Sequence, residues 1–88
     1  MRKIWVDDAW YDYIYWQASN KKVANKINNL LKSIDRNGYK CIGKPELLKG
    51  IRFSGCWSVR IDKKNRLIFR IDNDCIIIMQ CRSHYGDK

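Results

Sequence analysis

Proline, glutamate and histidine are almost missing from this chain: its 88 residues hold one of each, Pro45, Glu46 and His84. Glycine is sparse as well, at five residues, which excludes collagen-like and low-complexity classes. Long apolar runs are lacking. The longest, Cys75 to Met79, is far short of the roughly 20 residues that a membrane-spanning helix needs. No secretory leader is expected, because Asp7 and Asp8 follow Arg2 and Lys3 and interrupt any apolar segment. One histidine and no C-x-x-C spacing give no zinc-binding pattern. The four cysteines, Cys41, Cys56, Cys75 and Cys81, are expected to be free thiols in a reducing cytoplasm, with Cys75 and Cys81 on one face of a strand. Acidic side chains are also scarce, nine against 18 Lys and Arg, for a net charge of +9. Such a charge calls for an anionic partner, nucleic acid first and an acidic protein or anionic surface second. A hydrophobic share of 45% supports one core, and the length suits a single domain over residues 1–88.

Arg2 to Val6 reads as a short strand ending at Asp7-Asp8, where Asp7 is expected to cap a helix. Two overlapping stripes follow: Trp10, Tyr13, Ile14 and Gln17, and Ala9, Tyr13 and Trp16. The dense N-terminal aromatics are expected mostly in the core, with some rings left for an interface. Asn20 is the expected cap of a second helix. There Val23, Ile27, Leu30, Leu31 and Ile34 form a core-facing stripe, and Lys22, Lys26, Lys32 and Arg36 occupy the rest. Asn37-Gly38 is its stop, with Gly38 left-handed. Residues 39–50 read as a loop with at most a helical turn or a short strand. After residue 56 the periodicity becomes two. Trp57, Val59 and Ile61 alternate with Cys56, Ser58, Arg60 and Asp62, and Leu67, Phe69 and Ile71 with Arg66, Ile68 and Arg70, with turns at Lys63-Lys64-Asn65 and Asn73-Asp74. A last strand is expected from Cys75 to His84. The order predicts an α+β fold, an N-terminal strand and a helix hairpin packed on one face of an antiparallel sheet.

The opposite face is where chemistry is expected. Arg60, Arg66 and Arg70 alternate with the core set, and Ile76, Ile78, Gln80, Arg82 and His84 share one parity on the last strand. Cutting RNA with its own 2′-hydroxyl needs a base, a cation for the charge developing on phosphorus, and an acid for the departing 5′-oxygen. One Glu, one His and several Arg can supply those roles with no metal or other cofactor, and a nearby Tyr suits base stacking.

The opening Ile4-Trp5, Trp10, Asp12-Tyr13 and Tyr15-Trp16 resembles the YoeB/Txe toxins of the RelE superfamily. So do Lys26-Ile27-Asn28, the segment Gly43-Lys44-Pro45-Glu46 with Leu48-Lys49, and Ser54-Gly55 with Trp57-Ser58 and Arg60-Ile61. Arg66-Leu67-Ile68 and the ending Arg82-Ser83-His84-Tyr85 complete the resemblance over residues 1–85. It implies a RelE-like, microbial-ribonuclease fold. It also implies a type II toxin that cleaves mRNA in the ribosome, leaves a 2′,3′-cyclic phosphate and stops translation. By position, Glu46 looks like the general base, His84 the general acid and Arg66 the transition-state cation. Lys49, Arg60 and Tyr85 look like phosphate- or base-contacting support. The implied partners are the ribosome with mRNA, a YefM/Axe-type antitoxin and a second copy of the chain, with operator DNA met only through the antitoxin and no membrane. The chain departs from the family in four places: Val59 stands where many relatives carry Arg, Asn65 replaces a frequent His, the loop around Gly50 to Phe53 is one residue longer, and Gly86-Asp87-Lys88 follow the usual terminal Tyr. A non-catalytic basic RNA- or ribosome-binding module and a ParE-like topoisomerase poison are the alternatives.

Overall fold

A computed structural model describes residues 1–83, so the expectations for His84 and Tyr85 lie outside the described residues. The elements are β1 (Arg2–Trp5), α1 (Asp7–Ser19), α2 (Lys21–Asn37), a 3₁₀ turn (Gly38–Lys40), β2 (Glu46–Leu47), β3 (Trp57–Arg60), β4 (Arg66–Asp72) and β5 (Cys75–Gln80). The five strands form one sheet in the order β1-β5-β4-β3-β2. The fold is α+β, as expected. The sheet is mixed and not antiparallel throughout, because β1 runs parallel to β5. Both helices separate β1 from β2, so no tight hairpin dictates its partner, and it takes the free edge of the apolar β5.

That pairing also decides where α1 begins. Val6 donates its N–H to the Ile78 carbonyl (3.1 Å) and accepts from Trp10 N–H (3.0 Å), so Val6, not Asp7, is the cap residue. It makes no side-chain cap bond. Asp7 and Asp8 stand in the first turn, at the positive end of the helix dipole. Ala9, Asp12 and Trp16 form the buried stripe of α1. The aromatics are more exposed than expected. Trp16 is buried and Trp5 and Tyr13 half-buried, but Trp10, Tyr11 and Tyr15 are 45%, 67% and 42% exposed. A 13-residue helix packed along one stripe has too little inward surface for all of them.

Asn20 caps α2 by accepting from Val23 N–H (3.3 Å). Ala24, Ile27, Leu30, Leu31 and Ile34 are buried against the sheet, and Val23 is half-buried. Each buried Leu or Ile contributes about 1.5–3 kcal/mol. Gly38 ends the helix at φ 61° but ψ −135°, outside the left-handed helical basin assigned to it, because the chain turns at once into the 3₁₀ segment. Val59, Leu67, Phe69, Ile76 and Ile78 complete the helix-side core.

The second sheet face is only partly open. Phe53, Cys56 and Ile68, with Leu48 and Met79, make a small second core where the loop after β2 folds over it. A bulge lies on this side. Phe69 pairs with Ile78 and Ile68 with Gln80, so Met79 has no rung of its own. The bulge reverses parity along β5. Ile76 and Ile78 therefore face the helices with Ile71 and Phe69, contrary to expectation, while Gln80 shares the open face with Ile68. It also puts Cys75 and Cys81 on different faces. Cys81 is buried with its Sγ 3.6 Å from the Ala9 carbonyl, and Cys75 stands opposite Asp72. β5 ends at Gln80 and does not run on to His84 as a strand. The Asn73-Asp74 turn matches expectation: φ is 49° and 61°, the pattern of a type I′ hairpin. All four cysteines are free thiols. Among the described residues, no helix is long and apolar enough to cross a membrane.

Candidate active site on the open sheet face

The uncovered end of the open face is a grid set by strand register. Glu46 on β2 pairs with Ser58 on β3, and Ser58 pairs with Ile68 on β4. Two residues along, Arg60 pairs directly with Arg66. Paired residues share a face, and residues two apart on a strand share it again. The result is a recess of about 220 Å³ lined by Lys44, Glu46, Ser58, Arg60 and Arg66.

The Gly43-Lys44-Pro45-Glu46 segment earns its composition here. Gly43 has φ 95°, and a Cβ there would lie 3.0 Å from Val59 Cβ and 3.1 Å from Leu30 Cδ2. That close approach lets the Gly43 carbonyl accept from Arg60 N–H at 2.8 Å. Lys44 follows with φ 55°, a conformation unusual for a residue with a side chain. The tight approach and the proline after it deliver Glu46 to its rung opposite Ser58.

Arg66 is half-buried, and its Nη1 donates to the Asp62 carbonyl (2.8 Å) and the Asn65 carbonyl (3.1 Å). Those bonds hold the guanidinium against the β3–β4 turn. Among the described residues neither Arg60 nor Arg66 lies in ion-pair contact with a carboxylate. The recess therefore gathers Lys44, Arg60 and Arg66 beside Glu46, an arrangement suited to a phosphate or other anion.

The turn itself is closely bonded. The Asp62 carboxylate accepts from Lys64 N–H (2.8 Å), Asn65 N–H (2.7 Å) and the Asn65 side-chain amide (3.0 and 3.1 Å). Burial works against the charged form, but the bonds from Asn65 and Lys64 and the nearby Arg66 charge prevail, and the carboxyl is held below its ordinary range.

Of the expected site residues, Glu46, Arg60 and Arg66 are brought together. Lys49 lies on the adjoining hollow of about 620 Å³, formed by Glu46 to Phe53, so Glu46 borders both spaces. Arg70 is drawn away by Asp72 (3.1 Å), and Arg82 stacks over the Tyr15 ring of α1, 3.8 Å from its centroid, instead of joining the open face. Ser58 and Lys44 were missed, although strand alternation and the turn segment beside Glu46 both pointed to them. Among the described residues, no group of three or more His, Cys, Asp or Glu is placed to hold a metal ion.

Comparison with known proteins identifies the family. Residues 5–85 match the family of YoeB-like toxins of bacterial type II toxin–antitoxin systems. Toxin YoeB of Escherichia coli K12 is 42% identical over 85 residues, covering 97% of this chain and all of that protein. A YoeB-YefM complex from Staphylococcus aureus contains a chain 45% identical, with a TM-score of 0.88 over 97% of this chain and 98% of that one. A YoeB dimer structure from the same organism gives 44% identity and a TM-score of 0.89 over the same shares. A match over nearly the whole length, at this identity and with this fold, means that the chain belongs to the YoeB-like toxins of bacterial type II toxin–antitoxin systems.

Proposed function

We propose that this toxin is a ribosome-dependent endoribonuclease that cuts mRNA by acid–base catalysis and so inhibits translation. Glu46 takes the proton from a 2′-hydroxyl, and the 2′-oxygen attacks the adjacent phosphorus. Arg66 neutralises the charge that builds on the phosphoryl oxygens. The bond to the 5′-oxygen breaks as His84 supplies its proton. The products are a 2′,3′-cyclic phosphate and a 5′-hydroxyl, and no metal takes part. Arg60 and Lys49 hold flanking phosphates, and Tyr85 stacks on a base. The observation that carries this reading is Glu46 at the rim of a recess with Arg60 and Arg66 opposite each other. A binding module for RNA has no use for a carboxylate among its cations, since the carboxylate repels phosphate.

The chain acts as one domain in the cytoplasm, pairs with a second copy, and is silenced by an acidic antitoxin of the YefM type, through which alone it meets operator DNA. Support for these partners comes from the Staphylococcus aureus relatives, one solved with YefM and one as a dimer. The test is induction of wild type, Glu46→Ala, Arg66→Ala and His84→Ala in cells, with circular dichroism of each purified protein. Loss of growth arrest in folded variants is expected. Full toxicity in all three would overturn the assignment. Arrest with intact mRNA and damaged DNA would favour a topoisomerase poison instead.

A further inference from the structure

The run leading into residue 84 is held at two points. Cys81 is fixed by α1: its N–H donates to Asp12 Oδ2 (3.1 Å), and its carbonyl accepts from Trp16 Nε1 (2.8 Å). Ser83 is fixed by the β3–β4 turn: its N–H donates to Asn65 Oδ1 (2.6 Å), and its carbonyl accepts from Arg66 N–H (3.0 Å). Ser83 has φ 68°, a left-handed conformation that a residue with a side chain keeps only where its surroundings impose it. The Asn65 amide has one orientation open to it. Its nitrogen donates to both Asp62 carboxylate oxygens, which turns its oxygen toward Ser83.

We propose that Asn65, oriented by Asp62, is a positioning residue for catalysis. By holding the Ser83 N–H, it fixes the backbone at the point where the chain departs toward residue 84. One short turn thereby sets two catalytic groups. Its carbonyls hold the Arg66 guanidinium, and its Asn65 side chain holds the backbone that carries His84. The proposal rests on the reading of His84 as the general acid. Asn65 touches no reacting atom in it and acts through Ser83.

The test compares two ribosome-bound mRNAs, one natural and one with a single 5′-bridging sulfur at the scissile linkage. A thiolate leaves without a proton, so losses that arise from a missing acid vanish on the sulfur substrate. His84→Ala is expected to lose about 10²–10⁴-fold on the oxygen substrate and to recover most of it on sulfur. Asn65→Ala is expected to lose about 10²-fold on oxygen, as a small misplacement of a catalytic group does, and to show the same recovery on sulfur while remaining folded. Equal losses on both substrates, or no loss, in Asn65→Ala while His84→Ala recovers would overturn the positioning role alone. If His84→Ala itself fails to recover, the acid assignment falls and the proposal falls with it. Should Asn65→Ala not fold, Asn65→Gln keeps the amide but moves it by one methylene, and the same selective loss on oxygen is required of it.

Discussion

Arg60 and Arg66 stand directly opposite each other across the β3–β4 pair, on the face that the helices leave uncovered. Like charges so placed destabilise a sheet, and no carboxylate of the described residues lies in ion-pair contact with either. The cost is offset when an anion binds between them. On the proposed function, that anion is an RNA phosphate or an antitoxin carboxylate, and the two ligands are then expected to exclude each other.

Arg66→Ala should therefore weaken both RNA cleavage and antitoxin binding. Lys26→Ala, on the exposed face of α2, should change chiefly ribosome association and its dependence on salt. Titration of labelled YefM-type antitoxin against the two variants checks this. An unchanged affinity for Arg66→Ala would mean that the antitoxin neutralises the toxin elsewhere.

Gly43→Ala should destabilise the fold by about 2–4 kcal/mol, since the added methyl meets Val59 and Leu30 at a φ that favours glycine. The displaced Glu46 should lower cleavage as well. Urea unfolding with a steady m-value gives the first number, and cleavage of ribosome-bound mRNA gives the second.

Asp62 makes stability depend on acid. Its carboxyl is held below the ordinary value near 3.8, so its contribution is complete above that value and is lost as pH falls through the lower folded one. Asp62→Asn should be less stable than wild type at pH 7 by under about 1 kcal/mol, because solvent screens this exposed turn. The gap should close as pH falls below the lowered folded value. Thermal midpoints from pH 2 to 7 would reveal a constant gap if the charge is irrelevant.

The thiols should differ in reactivity. Burial pushes the Cys41 and Cys56 thiols up, the latter against the pull of Arg70, whereas Cys75 is half-exposed. Alkylation of the native protein followed by mass spectrometry should modify Cys75 first. Early labelling of Cys41 would contradict its burial.

Periodicity made much of this legible. The α2 stripe and the alternation of β3 and β4 are unambiguous in sequence, and they suffice to put Arg60 and Arg66 on one face. What stayed hidden depends on partners distant in the chain. The bulge at Met79 follows from how β5 fits against Ile68 and Phe69, so the expectation misplaced Ile76 and Ile78 and put Cys75 and Cys81 on one face instead of two. Val6 caps α1 only because Ile78 holds its N–H. The Asn65–Ser83 bond joins residues 18 apart in sequence, and no local pattern announces it.

The most direct measurement is the chemistry of the cut ends. Purified toxin is added to ribosomes carrying a defined mRNA, and both fragments are analysed by mass spectrometry. The account predicts a 2′,3′-cyclic phosphate on one fragment and a 5′-hydroxyl on the other, formed by wild type and suppressed about 10²-fold or more in Glu46→Ala. A 3′-hydroxyl with a 5′-phosphate, or uncut mRNA on stalled ribosomes, would contradict it.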